Sequence, residues 1–149
     1  MQRKGLRCDY APCDMGVRVR ADRARMRQVV LNLLSNAMKF TDATGRITLE
    51  CIPNEVDVVI RVTDTGIGIP QDKLELVFEP FVQLDSTLTR KADGTGLGLA
   101  ISRSFAREMG GDLTATSVVG EGSAFSLRLP RAPRPDVSAN DREPDLAHI

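Results

Sequence analysis

The chain has 149 residues, 42% of them hydrophobic, and its 20 Lys and Arg balance 20 Asp and Glu to a formal net charge of zero. That size fits one globular domain with at most a small appendage, and the charge balance excludes a general nucleic-acid binder or a polybasic membrane anchor, both of which need surplus cations. No apolar run approaches the roughly 20 residues that cross a bilayer and no signal-peptide core opens the chain, so a soluble chain with neither membrane insertion nor a nucleic-acid partner is expected.

In chain order, Lys4 to Tyr10 and Val17 to Arg20 read as short strands around the turn-prone Ala11-Pro12-Cys13-Asp14-Met15-Gly16. Asp22 is a suitable N-cap for a helix whose apolar residues Met26, Val29, Val30, Leu33, Leu34 and Ala37 fall on one face. The helix should end near Phe40-Thr41. Arg46 to Ile52 and Asp57 to Thr63 are rich in Val, Ile and Thr and predict two strands joined by a Pro53-Asn54 turn. A glycine-punctuated loop, Asp64 to Pro70, precedes a short helix expected over Asp72 to Phe78. Val82 to Asp93 has no period and reads as a long mobile loop, a length that inside a compact domain usually serves function. Gly94 to Leu99 leads into a helix through Ile101, Phe105 and Met109, stopped by Gly110-Gly111. Leu113 to Val118 and Ala124 to Leu129 supply two more strands.

The pattern predicts one domain over residues 1–130, a two-layer α/β sandwich with helices on one face of a mixed sheet. Residues 131–149, rich in Pro, Arg, Asp and Ala, predict a disordered tail. Cys8, Cys13 and Cys51 are odd in number and spaced without a disulfide framework, which points to a reducing cytoplasm. With His148 as the one histidine, they leave too few ligands for a Cys/His zinc site.

Three stretches carry possible chemistry. Asn32, Asn36 and Lys39 lie at i, i+4 and i+7 and share a face beside the buried one. A solvated polar stripe is the plain reading, but Asn is a mediocre helix former, and an amide oxygen beside a seam can ligate Mg²⁺ while a lysine one turn later meets phosphate. Asp64-Thr65-Gly66-Ile67-Gly68 follows a strand directly, so its carboxylate could accept from a ligand amino group where glycines admit backbone. An ordinary Asp-capped turn and the Asp-Thr-Gly triplet of aspartic proteases, which need two such aspartates, fit the same residues. Gly94-Thr95-Gly96-Leu97-Gly98-Leu99 opens a helix, and exposed N–H groups with the helix dipole suit a polyphosphate. A flexible hinge is the alternative. Leu99 stands where the Rossmann pattern needs glycine, and no P-loop Gly-Lys-Ser/Thr, H-R-D or D-F-G is present.

Taken together, Asn32-Leu33-Leu34-Ser35-Asn36-Ala37-Met38-Lys39-Phe40-Thr41, Asp64-Thr65-Gly66-Ile67-Gly68-Ile69-Pro70, Phe78-Glu79-Pro80-Phe81 and Gly94-Thr95-Gly96-Leu97-Gly98-Leu99 closely resemble the N, first glycine, F and second glycine boxes of sensor histidine kinases. Those boxes define the catalytic ATP-binding domain of these kinases, in the superfamily shared with DNA gyrase and related chaperone and mismatch-repair ATPases. The resemblance spans roughly residues 4–130 and implies a Bergerat-type α/β sandwich: a mixed, mainly antiparallel sheet with about three helices on one face.

It also implies roles. Asn36 would be the protein ligand of Mg²⁺ on the ATP phosphates, supported by Asn32. Lys39 would contact phosphate, Phe40 would pack near adenine, and Asp64 would accept from the adenine amino group in a pocket shaped by Gly66, Gly68 and Ile69. Phe81, Gly94, Thr95, Gly96, Leu97, Gly98 and Leu99 complete the nucleotide contacts, and Arg90 or Lys91 would reach the terminal phosphate. The catalytic set implied is Asn32, Asn36, Lys39, Arg90 and Lys91.

In the hydrolytic branch of the superfamily, a glutamate four residues before the metal-binding Asn activates water. Asn32 occupies that place, and an amide is no general base. Transfer of the γ-phosphoryl group to a protein histidine is therefore expected over hydrolysis. The acceptor would lie on a separate dimerisation and phosphotransfer hairpin, with a response regulator served indirectly, because His148 sits in the tail without a neighbouring motif. Two other readings share the boxes: a catalytically silent nucleotide-binding module, and a serine kinase of the anti-sigma-factor type.

Overall fold

The structure, a computed structural model, describes residues 6–12, 16–42, 44–80 and 98–132 and the backbone of 146–148. Five strands form one sheet in the order β1-β3-β4-β6-β5: β1 Arg7–Ala11, β3 Arg46–Pro53, β4 Asp57–Asp64, β6 Gly122–Pro130 and β5 Asp112–Val118. β1 runs parallel to β3, and every other pairing in this sheet is antiparallel. A second pair joins β2 (Arg18–Arg20) to β7 (Leu146–His148). Two α-helices, α1 (Arg23–Phe40) and α2 (Gly98–Glu108), and two 3₁₀ turns, Gln71–Lys73 and Leu76–Phe78, are described.

The layers follow from the side-chain periods. β4 alternates, burying Val58, Ile60, Val62 and Asp64 while Val59, Arg61 and Thr63 face outward, as a period of two requires. β6 and β5 bury Phe125, Leu127, Leu129 and Leu113 on the same side. Onto that face α1 presses Met26, Val29, Leu33 and Ala37 at helical spacing, with Val29 and Leu33 almost wholly removed from water. The opposite face carries Arg61, Thr63, Thr114, Thr116, Ser126 and Arg128 and stays solvated, which an antiparallel sheet allows. The two-layer sandwich with a mixed, mainly antiparallel sheet is thus the architecture observed.

Helix α1 starts where its cap predicts: Asp22 Oδ1 accepts from the Arg25 N–H at 3.2 Å. It ends at Thr41, whose hydroxyl donates to the Ala37 carbonyl at 2.6 Å. α2 stops at Gly110, with φ of 88°, a left-handed value that favours glycine, and the Gly111 N–H closes back on the Ala106 carbonyl.

Four expectations need correction. The Asp72–Phe78 helix is two separate 3₁₀ turns, because a segment entered from extended Pro70 is too short to repay α-helix nucleation. β6 begins at Gly122, two residues before the predicted strand. The tail expected to lack structure contributes β7, whose backbone satisfies an edge of β2, and Ala132 is buried with its N–H on the Arg18 carbonyl; open edges invite such pairing. Finally, Cys51 on β3 is disulfide-bonded, which the odd number and spacing of the cysteines did not predict.

Candidate nucleotide site

Asp64 is the last residue of β4, and the strand's alternation turns its side chain toward the helix layer, where it is 8% exposed. The Gly66 N–H donates to its Oδ1 at 2.8 Å. Burial raises the carboxyl above its ordinary range, and hydrogen bonds from the Gly66 and Ser123 backbones offset only part of that. A buried carboxylate with spare acceptor capacity is a strong receiver for an amino group.

The loop after Asp64 is pinned on both sides. A Cβ at Gly66 would collide with the Phe40 carbonyl, and one at Gly68 with the Val118 carbonyl. Gly68 also has φ of 80°, so glycine is required there for conformation as well as space. The Ile69 N–H donates to Ser117 Oγ at 2.7 Å, and the Gln71 side-chain amide donates to the Ser117 carbonyl at 2.7 Å. Ser117 Oγ in turn bonds the Gly122 carbonyl and Ser123 Oγ. At the other end, Thr65 Oγ1 accepts from the Arg46 N–H.

Helix α1 reaches both glycine motifs. Its C-terminal carbonyl, Phe40, abuts Gly66, while Asn32, two turns earlier, donates to the Gly98 carbonyl at 3.0 Å and to Ser102 Oγ at 2.9 Å. Asn36 lies between them, half-buried, with Phe40 half-buried and Lys39 exposed. Among the described residues Asn36 has no side-chain hydrogen bond, whereas both N–H donors of Asn32 are engaged. Gly98 and Leu99 form the first turn of α2, and Leu99 and Ile69 pack partly buried against the core. Phe81, Arg90, Lys91, Gly94, Thr95, Gly96 and Leu97 lie outside the described residues.

Sequence reasoning missed three residues. Ser117 sits at an inward position of β5, after Leu113 and Ala115, and a polar residue in an apolar alternation was the available signal. Ser102 is fully buried on the α1-facing side of α2. Arg103 is held over the Phe78 ring at 4.1 Å from its centroid; nothing in the linear sequence ties residue 103 to residue 78.

Residues 21–133 match the family described as histidine kinase-, DNA gyrase B-, and HSP90-like ATPase. The chain is 45% identical over 131 residues to the aerobic respiration control sensor protein ArcB of Escherichia coli, covering 86% of this chain and 17% of ArcB. The catalytic domain of histidine kinase ThkA superimposes with a TM-score of 0.76 at 29% identity, over 89% of this chain and 84% of ThkA's. Full-length ShkA in complex with AMPPNP gives a TM-score of 0.73 at 33% identity, over 88% of this chain and 27% of ShkA's. The chain thus spans a small part of ArcB. With matched sequence, matched sandwich and the ordered Asn, Asp-Gly and Gly motifs around one helix, the chain belongs to the histidine kinase-, DNA gyrase B- and HSP90-like ATPase family and is homologous to the catalytic domains of histidine kinases.

Proposed function

We propose that this chain binds Mg·ATP between the C-terminal half of α1, the Asp64 loop and the start of α2, and passes the γ-phosphoryl group to a histidine on a separate helical hairpin. The observation that carries the nucleotide reading is the buried Asp64 carboxylate, held open by Gly66 against the end of α1. Asp64 accepts the adenine amino hydrogen, and Gly66, Gly68 and Ile69 shape the pocket by letting the loop pack closely on Phe40, Val118 and Ser117.

The donor set suits magnesium. Among the described residues no group of three or more His, Cys, Asp or Glu could hold a metal, so protein ligation would come from the Asn36 amide oxygen. Mg²⁺ favours few protein ligands, keeping waters and phosphate oxygens in its shell. When bound, the ion supplies charge neutralisation on the phosphates. Lys39 adds a cation on the same helix face, and Gly98 begins a helix whose N-terminal dipole favours anions.

Asn32 stands four residues before Asn36 and spends its N–H donors on α2. An amide takes no proton from water at neutral pH, which favours phosphoryl transfer over hydrolysis. In the transfer, the acceptor imidazole nitrogen bonds to the γ-phosphorus as the bond to the ADP oxygen breaks. The domain contributes position and charge rather than covalent chemistry. Likeness to ArcB and ThkA supports a two-component setting, with a phosphotransfer hairpin as direct partner and a response regulator downstream.

Calorimetric titration of ATP with and without Mg²⁺ tests the binding step, and binding that ignores Mg²⁺ counts against it. Labelled ATP with a hairpin protein added tests transfer. Acid-labile label on the hairpin is expected; acid-stable label would favour the serine-kinase reading, and no label would favour a silent module.

A further inference from the structure

Helix α2 fully buries only Ser102 and Ala106. Two small side chains give a helix little apolar purchase against sliding along its axis, since interlocking of large side chains is what fixes register. Leu99, Phe105 and Met109 add partly buried packing against the core, Arg25 of α1 pairs with Glu108 and stacks on Phe105, and two further sets of polar contacts fasten the middle of the helix. One set is the Asn32 amide on the Gly98 carbonyl and Ser102 hydroxyl. The other radiates from Arg103.

Arg103 is 15% exposed at its side chain and meets three residues on two elements besides its own helix. Its guanidinium carbon stacks 4.1 Å from the Phe78 ring centroid. Nη1 donates to Glu75 Oε1 at 3.0 Å, on the turn that leads into Phe78. Nε lies 3.6 Å from Asp112 Oδ1 at the start of β5, too far for a hydrogen bond, and has no other partner among the described residues. Phe78 is itself fixed edge-on to Phe125 of β6, with centroids 6.1 Å apart. A planar, always-charged fork stacked on a ring is a role that lysine does not reproduce.

The geometry points to Arg103 as a positioning residue that sets the axial register of α2, and so the placement of its Gly98 end relative to Asn36 and Asp64. This rests on the nucleotide reading above and deepens it. The adenine side of the candidate site hangs on β4, Ser117 and the β5–β6 turn, through bonds that do not involve α2. The phosphate side includes the first turn of α2. Arg103 therefore governs how strongly the protein prefers ATP to adenosine, while leaving adenosine itself little affected.

Calorimetric titration of the full chain with Mg·ATP and with adenosine tests this in Arg103→Met and Arg103→Lys, with thermal unfolding recorded for each. Arg107→Met serves as a control, because Arg107 meets Asp112 but neither Phe78 nor Glu75. The expected result is a fall of about tenfold in the ATP-to-adenosine affinity ratio for Arg103→Met, a smaller fall for Arg103→Lys, and none for Arg107→Met. If Arg103→Met does not fold, Arg103→Lys decides. Ratios unchanged in the folded variants, or ATP and adenosine weakened equally, overturn the role of Arg103 alone. Failure of the unsubstituted chain to bind ATP overturns the nucleotide reading and this inference with it.

Discussion

Asp64 carries a conflict between stability and binding. Its carboxylate is buried, and burial raises its pKa from the ordinary 3.8. A raised carboxyl costs the folded state above its own pKa, and the cost is relieved as pH falls through that value toward 3.8. Asp64→Asn keeps an oxygen for the Gly66 N–H and removes the charge. Its melting temperature without nucleotide should rise at neutral pH, while calorimetry should show ATP binding weakened by about ten- to a hundredfold, the worth of a charge-assisted hydrogen bond. Because protonation begins above the usual carboxylate range, ATP affinity of the parent chain should start to fall at a correspondingly higher pH. Asn36→Ala should abolish the Mg²⁺ dependence of binding; a dependence that persists identifies another ligand.

At the scale of elements, the contacts that join α1 to the Asp64 loop through Phe40 and to α2 through Asn32 are backbone-close or polar, so small substitutions there should have large effects. Gly66→Ala sets a methyl group against the Phe40 carbonyl. The obstructing carbonyl is backbone and cannot swing aside as a side chain would, and the strain should cost about 1–3 kcal/mol in denaturant unfolding. Ser102→Val puts an apolar group beside the Asn32 amide and strands one of its buried donors, a loss of about 1–3 kcal/mol. The Asn32–Ser102 clamp could not be read from spacing, because residues 70 apart meet only when α1 and α2 pack. The caps could. Asp22 and Gly110 act within one helical turn of chain, which is why both helix ends matched the sequence.

At the scale of the whole molecule, two carboxyls among the described residues contribute to acid stability in opposite directions. At Asp112 burial pushes the carboxyl up, but the Leu113 N–H, the Arg107 hydrogen bond and the charges of Arg107 and Arg103 outweigh it and leave the pKa lowered. A lowered carboxyl stabilises the fold above the unfolded value and loses that contribution as pH falls through the folded one. Asp112→Asn should therefore flatten the acid limb of a melting-temperature profile, most visibly below about pH 4, where unfolded aspartates take up protons. Asp64→Asn should act the other way, raising the neutral plateau and leaving the acid limb close to that of the parent.

What the sequence determined by itself was local or periodic. Apolar spacing marked α1 and its buried face, Val, Ile and Thr content marked β3 and β4, and the glycine and asparagine motifs marked the family. Each of those signals is carried by residues within one or two turns or strand steps of each other. The tertiary structure decided what depends on distant partners: the parallel seating of β1 on β3, the pairing of Leu146–His148 with β2, the Ser117 anchor beneath the Asp64 loop, and the stacking of Arg103 on Phe78. Hydrogen-bonding groups and charges buried by folding must find partners wherever the chain brings them, and sequence separation does not say where that is.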